Sequence, residues 1–136
     1  MSGNTDTFKR VLRDIKRVMR DIVGEYSPEE SEIFDDLYAS IEDNAGVILE
    51  KGEKILDSES ALGFFGGGIF TLALALIVSE AVKVLIEKAV DSGLSKLKKI
   101  AMRIIGKSHT ELNKKEIEDI AERLINAVIS GGGRKY

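Results

Sequence analysis

Ala61-Leu-Gly-Phe-Phe-Gly-Gly-Gly-Ile-Phe-Thr-Leu-Ala-Leu-Ala-Leu-Ile-Val-Ser79 is a run of nineteen residues without a charged side chain. Its second half, Ile69 to Val78, is apolar on every helical face except at Thr71. A helix of that kind has no surface to offer water, so it is enclosed either by other helices or by lipid. The helical pattern continues to about Val90, where Glu80, Lys83, Glu87, Lys88 and Asp91 fall on one face and Asp91-Ser92-Gly93 reads as a stop. The expected central element is therefore a hydrophobic helix over about 69–90.

The length of the uncharged run is the second clue. Crossing a bilayer takes roughly 17–25 apolar residues, and 61–79 sits within that range. Within it, Gly63, Gly67, Thr71, Ala75 and Ser79 recur every fourth residue, a ladder of small side chains of the type that lets two helix backbones approach closely in lipid. The ladder is read as a helix-association face.

Outward from this segment the charge is strongly blocked. Residues 1–24 carry six basic and three acidic side chains, and residues 25–59 carry twelve acidic and two basic ones. Residues 81–115 carry nine basic and three acidic side chains. The net charge of -3 is thus a cancellation of opposed blocks. Pairing of the acidic block with the basic ones inside the molecule is the simplest account of both.

Upstream, Phe8, Val11, Leu12, Ile15, Val18, Met19, Ile22 and Val23 recur three and four apart, which predicts a helix over 8–23 capped by Asp6 and stopped at Gly24. Its outer face bears Lys9, Arg10, Arg13, Lys16, Arg17 and Arg20. Ser27-Pro28-Glu29-Glu30 reads as a helix start, with Ser at the N-cap, Pro at the first turn and Glu at the capping-box position. The acidic helix that follows bends near Asn44 to Gly46. Downstream, Leu94 to Ile105 forms a basic helix ended by Gly106, with Lys96, Lys98, Lys99 and Arg103 outward. A last helix starts at Asn113, which with Glu116 makes an Asn-started capping box. Residues 131–136 read as a flexible, basic, glycine-rich tail to a helical domain over 1–130. No stretch has the period-two alternation of a strand. The fold class is all-α, a bundle of four to six helices around the central one.

Composition excludes several chemistries. With no Cys and one His, neither a thiolate site nor a multi-His metal site can be built. The acidic balance argues against a nucleic-acid binder. Ala101 to Ser108 fits a loose phosphate-loop spacing, but its intervening residues are bulky and helical. His109 reads as an exposed loop residue. The acidic clusters lack a cation-loop spacing. The expectation is a non-enzymatic chain with no cofactor, no metal and no evident small-molecule substrate.

The leading expectation is a membrane-associated or membrane-inserting domain, self-associating or pore-forming through 61–79. The basic residues of 8–23 and 94–105 would meet anionic headgroups or an acidic partner. If the segment spans, the downstream lysines predict a cytoplasmic C-terminal side. No secretory signal is visible to carry the sixty residues before Ala61 across. A bundle that shields the helix and releases it onto a membrane from the cytoplasmic side avoids that difficulty. The alternative is a soluble cytoplasmic adaptor, inhibitor or oligomerisation module, with 61–79 as its core and a protein partner. Either form is expected to be a homo-oligomer.

Overall fold

The computed structural model describes residues 2–57, 68–87 and 90–133, and these are helical almost throughout. In chain order the elements are α1 (Ser2–Asp14), α2 (Lys16–Tyr26), α3 (Pro28–Ser31), α4 (Phe34–Asp43) and α5 (Ala45–Lys51). A 3₁₀ segment (Gly52–Asp57) follows, then α6 (Ile69–Glu87), α7 (Val90–Ser108) and α8 (Lys114–Gly133). There are more pieces than the four to six expected because the first two amphipathic segments bend. The bend at Ile15 leaves the helical ladder intact, since Ile15 N donates to Val11 O and Met19 N to Ile15 O, both at 3.0 Å. The apolar stripe of Phe8, Leu12, Ile15, Met19 and Ile22 therefore stays on one side of α1 and α2 and is wholly buried.

Helix α6 is the axis of the bundle. It packs against α1, α2, α4, α5, the 3₁₀ segment, α7 and α8. Each residue from Phe70 to Ser79 is at most 1% exposed, the burial a helix without a polar face demands. The surrounding helices each contribute one apolar stripe, Phe34 and Ile41 from α4, Ile104 and Ile105 from α7, Ile120, Leu124 and Val128 from α8.

Several local stop signals are overridden. Asp6 lies inside α1, α2 runs through Gly24 to Tyr26, and α7 begins ahead of Asp91 and passes Gly106. The extensions past Gly24 and Gly106 are two residues long and end on the half-buried Tyr26 and Ser108, too short a stretch for one residue's intrinsic preference to decide. Where the chain must turn sharply, at the end of α5, Gly52 takes φ 57°, a conformation that favours glycine. The final capping box is built as expected: Glu116 N donates to Asn113 Oδ1 at 2.8 Å and Asn113 N to Glu116 Oε1 at 3.0 Å.

One polar group in the sheath lacks a partner. Tyr38 is buried against Phe34, and the Lys16 ammonium lies 4.5 Å from its ring centroid. Its hydroxyl meets no hydrogen-bond partner among the described residues. Burial, with the nearby Glu42 carboxylate, pushes its pKa up to about 12 against the opposing pull of Arg13. Tyr38→Phe removes the unsatisfied group and keeps the ring, so chemical denaturation should show a gain of about 1 kcal/mol in stability. A loss of that size would mean that the hydroxyl is bonded.

Candidate functional site

The feature that stands apart chemically is α6 and the groups that hold its two ends. Ile69–Ile86 is 18 residues with mean hydropathy 2.3, and 67% of it is buried. At about 1.5 Å per residue it is close to 27 Å long, near the thickness of a bilayer's hydrocarbon.

At the N-terminal end, the first turn of α6 has backbone N–H groups with no partner within the helix. Glu30, from α3, supplies one. The carboxylate, on a residue only 8% exposed, accepts hydrogen bonds from Phe70 N at 3.0 Å, Thr71 N at 2.8 Å and Thr71 Oγ1 at 2.7 Å. This corrects the capping-box reading of Ser27 to Glu30. Ser27 N is already bonded to Val23 O at 2.8 Å, so the end of α2 uses the donor that a local capping box requires. The carboxylate is thereby left to reach a helix forty positions away. His109 joins the same end: its Nε2 lies 2.8 Å from Tyr26 O and its ring meets Phe70 edge-on at 5.4 Å. It is half-buried and structural, not the exposed loop residue expected.

Towards the C-terminal end the sheath thins. Lys83 donates to Glu80 at 3.2 Å, one turn along. Beyond them a groove of about 560 Å³ opens between α1, α5 and α6. At this edge Val47 is 47% exposed and Ile86 42%.

The association ladder is placed only in part. Thr71, Ala75 and Ser79 are all at 0% exposure, and Ser79 Oγ donates to Leu76 O at 2.8 Å. In this arrangement they pack within the bundle. Gly63 and Gly67 lie outside the described residues.

The basic residues expected to meet headgroups divide. Arg13 pairs with Glu42 at 3.1 Å and Arg20 with Asp35 at 2.9 Å, joining the first basic face to the acidic block. Lys16 sits over Tyr38, and Lys98 pairs with Glu122 at 2.9 Å. Arg103 and Lys107 clamp Glu53 from the 3₁₀ segment at 2.7 Å and 3.0 Å. Arg17, Lys96 and Lys99 are exposed, Lys9 is half-exposed, and Arg10 is exposed and engaged in an interaction of its own.

Among the described residues no group of three His, Cys, Asp or Glu side chains is placed to hold a metal ion. The residues of the loose phosphate-loop spacing lie in α7, where backbone N–H groups serve the helix. Comparison with family models, with curated proteins and with solved structures finds no match.

Two expectations follow from this geometry. Ala75→Leu forces a larger side chain into a filled interior, so unfolding measurements should show a loss of about 1–3 kcal/mol. An unchanged denaturation midpoint would place Ala75 on a free face. The second concerns Glu53, whose carboxyl is held down to about 2 from 4.5, first by the Arg103 hydrogen bond and then by Lys107, with burial opposing. A lowered folded-state value means that this stability is complete above pH 4.5 and is lost as pH falls towards 2. Thermal melts across that window should fall more steeply for the wild type than for Glu53→Gln; parallel curves would remove the clamp from the stability balance.

Proposed function

We propose that the chain is a non-enzymatic, membrane-associating helical domain that carries a span-length apolar helix sheathed by its own amphipathic helices. The observation that carries this reading is the pairing of span length with all-round apolar character in α6. A helix enclosed on every side by neighbours is apolar all round as well, so span length is what adds the capacity to cross a bilayer. Helix α6 is apolar on every side for ten residues and long enough to cross a bilayer.

Three further features support it. The charges inside the span are Glu80 and Lys83, joined to one another at 3.2 Å. A mutually paired acid and base is the form in which ionisable groups are best tolerated at membrane depth. The sheath leaves apolar surface open beside Val47 and Ile86. Exposed basic residues Arg17, Lys96 and Lys99 supply the attraction to an anionic surface. On this reading the domain meets the membrane from the cytoplasmic side, α6 enters the lipid, and Thr71, Ala75 and Ser79 become available to other copies.

The second reading is a soluble adaptor, inhibitor or oligomerisation module in which α6 remains the permanent core. The complete burial of Phe70 to Ser79 favours it equally. Flotation with vesicles separates the two. The membrane reading expects the protein to rise with anionic liposomes and to do so more weakly with neutral ones. Protein that stays in the bottom fraction with both, in neutral and in acidic buffer, overturns that reading and leaves the soluble module.

A further inference from the structure

We infer that the Glu30 carboxylate is an autoinhibitory latch, the contact that decides whether α6 stays sheathed. The inference deepens the membrane reading and, for its consequence at a lipid surface, rests on it.

The argument begins with what changes when α6 exchanges protein neighbours for hydrocarbon. Its apolar contacts change little, because lipid tails are as apolar as the Leu, Ile and Val side chains that surround it in the bundle. Burial alone therefore gives little preference for one state over the other. Polar contacts are different, since they have partners in one state only. At the N-terminal end of α6 those contacts converge on one side chain. Glu30 accepts from Phe70 N, Thr71 N and Thr71 Oγ1, at 3.0, 2.8 and 2.7 Å.

Withdrawing α6 breaks all three bonds at once. It leaves two backbone donors and a hydroxyl to find new partners at the first turn, and strips the carboxylate of its three donors. Hydrogen bonds to an ionised acceptor are the strong class. The position of Glu30 reinforces this. It sits in a four-residue helix, α3, whose start is tied to the end of α2 through Ser27 N and Val23 O. Leu37 of α4 packs over Gly68, immediately before α6. The latch thus grips the helix from the acidic block, whose outer face is held by the Arg13–Glu42 and Arg20–Asp35 pairs. An event that draws those arginines to anionic lipid loosens the frame that carries Glu30.

The test compares four full-length proteins: wild type, Glu30→Gln, Thr71→Val and Leu124→Ala. Glu30→Gln keeps the shape and removes the charge. Thr71→Val keeps the fold and deletes one of the three bonds, so it remains informative if Glu30→Gln unfolds. Leu124, fully buried on α8, makes a variant that weakens the bundle away from the latch. Amide hydrogen exchange is read without lipid, and the rate of association with anionic vesicles is read alongside it.

The latch predicts exchange on the order of tenfold faster in the N-terminal half of α6 for Glu30→Gln, less for Thr71→Val, with α8 little changed. Vesicle association accelerates in the same order. Leu124→Ala instead raises exchange across the bundle without that bias towards α6. Uniform exchange in the Glu30 and Thr71 variants overturns the latch, as does vesicle association no faster than in Leu124→Ala of matched stability. If no variant and no wild-type protein binds vesicles, the membrane reading fails, and the exchange pattern alone still decides whether Glu30 holds the helix.

Discussion

A helix with no polar face cannot be left half-covered, and the enclosure of α6 imposes the arrangement of everything else. Seven elements lie against it, each presenting the apolar stripe that its period supplies. The helices on both sides of the bends at Ile15 and Asn44 keep buried apolar residues and pack against α6. The helices run two residues past Gly24 and Gly106, to the half-buried Tyr26 and Ser108. The opposed charge blocks then have a simple role. They form the outer surface of the sheath, and their pairs join neighbouring helices across the outside of a core that apolar burial has already collected. Partly exposed pairs of this kind contribute little stability one at a time. Their sum chooses which helix lies beside which.

Much of this architecture was legible in the sequence. The uncharged run placed the central helix, the three- and four-residue spacings placed the sheath, and the acidic and basic blocks foretold the Arg13–Glu42, Arg20–Asp35 and Arg103–Glu53 pairs. The Asn113–Glu116 box was readable because both partners lie within one turn. Local chemistry is visible to local inspection.

What escaped reading depends on partners distant in the chain. Glu30 stands three residues after Ser27, the spacing of a capping box, and nothing nearby reveals that Ser27 N is already taken by Val23 O. Asp91-Ser92-Gly93 has the composition of a stop, yet α7 begins at Val90. A Cβ at Gly93 would lie 2.8 Å from Val84 Cγ1, so the glycine serves the close approach of α6 and α7 rather than ending either. His109 likewise has no sequence neighbour that marks it as half-buried; its partners are the Tyr26 carbonyl and the Phe70 ring. In each case a residue whose local sequence context reads as a cap, a stop or a loop is used for a contact between elements.

The two ends of α6 then carry more meaning than its middle. Along Phe70 to Ser79 the helix is equally at home among leucines and among acyl chains, so the middle cannot distinguish a core from a membrane span. The ends can. The N-terminal turn is bound by a buried carboxylate, a group that hydrocarbon cannot replace and that interfacial water replaces only after α3 has moved. Towards the other end the helix carries its own paired charges, Glu80 with Lys83, and meets solvent through Ile86. Among the described residues the side-chain hydrogen bonds that other elements make to α6 fall at its first turn, while exposed apolar side chains occur both at Ile33, three residues from Glu30, and at Val47 and Ile86. The Glu30 contact is therefore the place where the fold's polar chemistry, and not its apolar packing, fixes the start of α6.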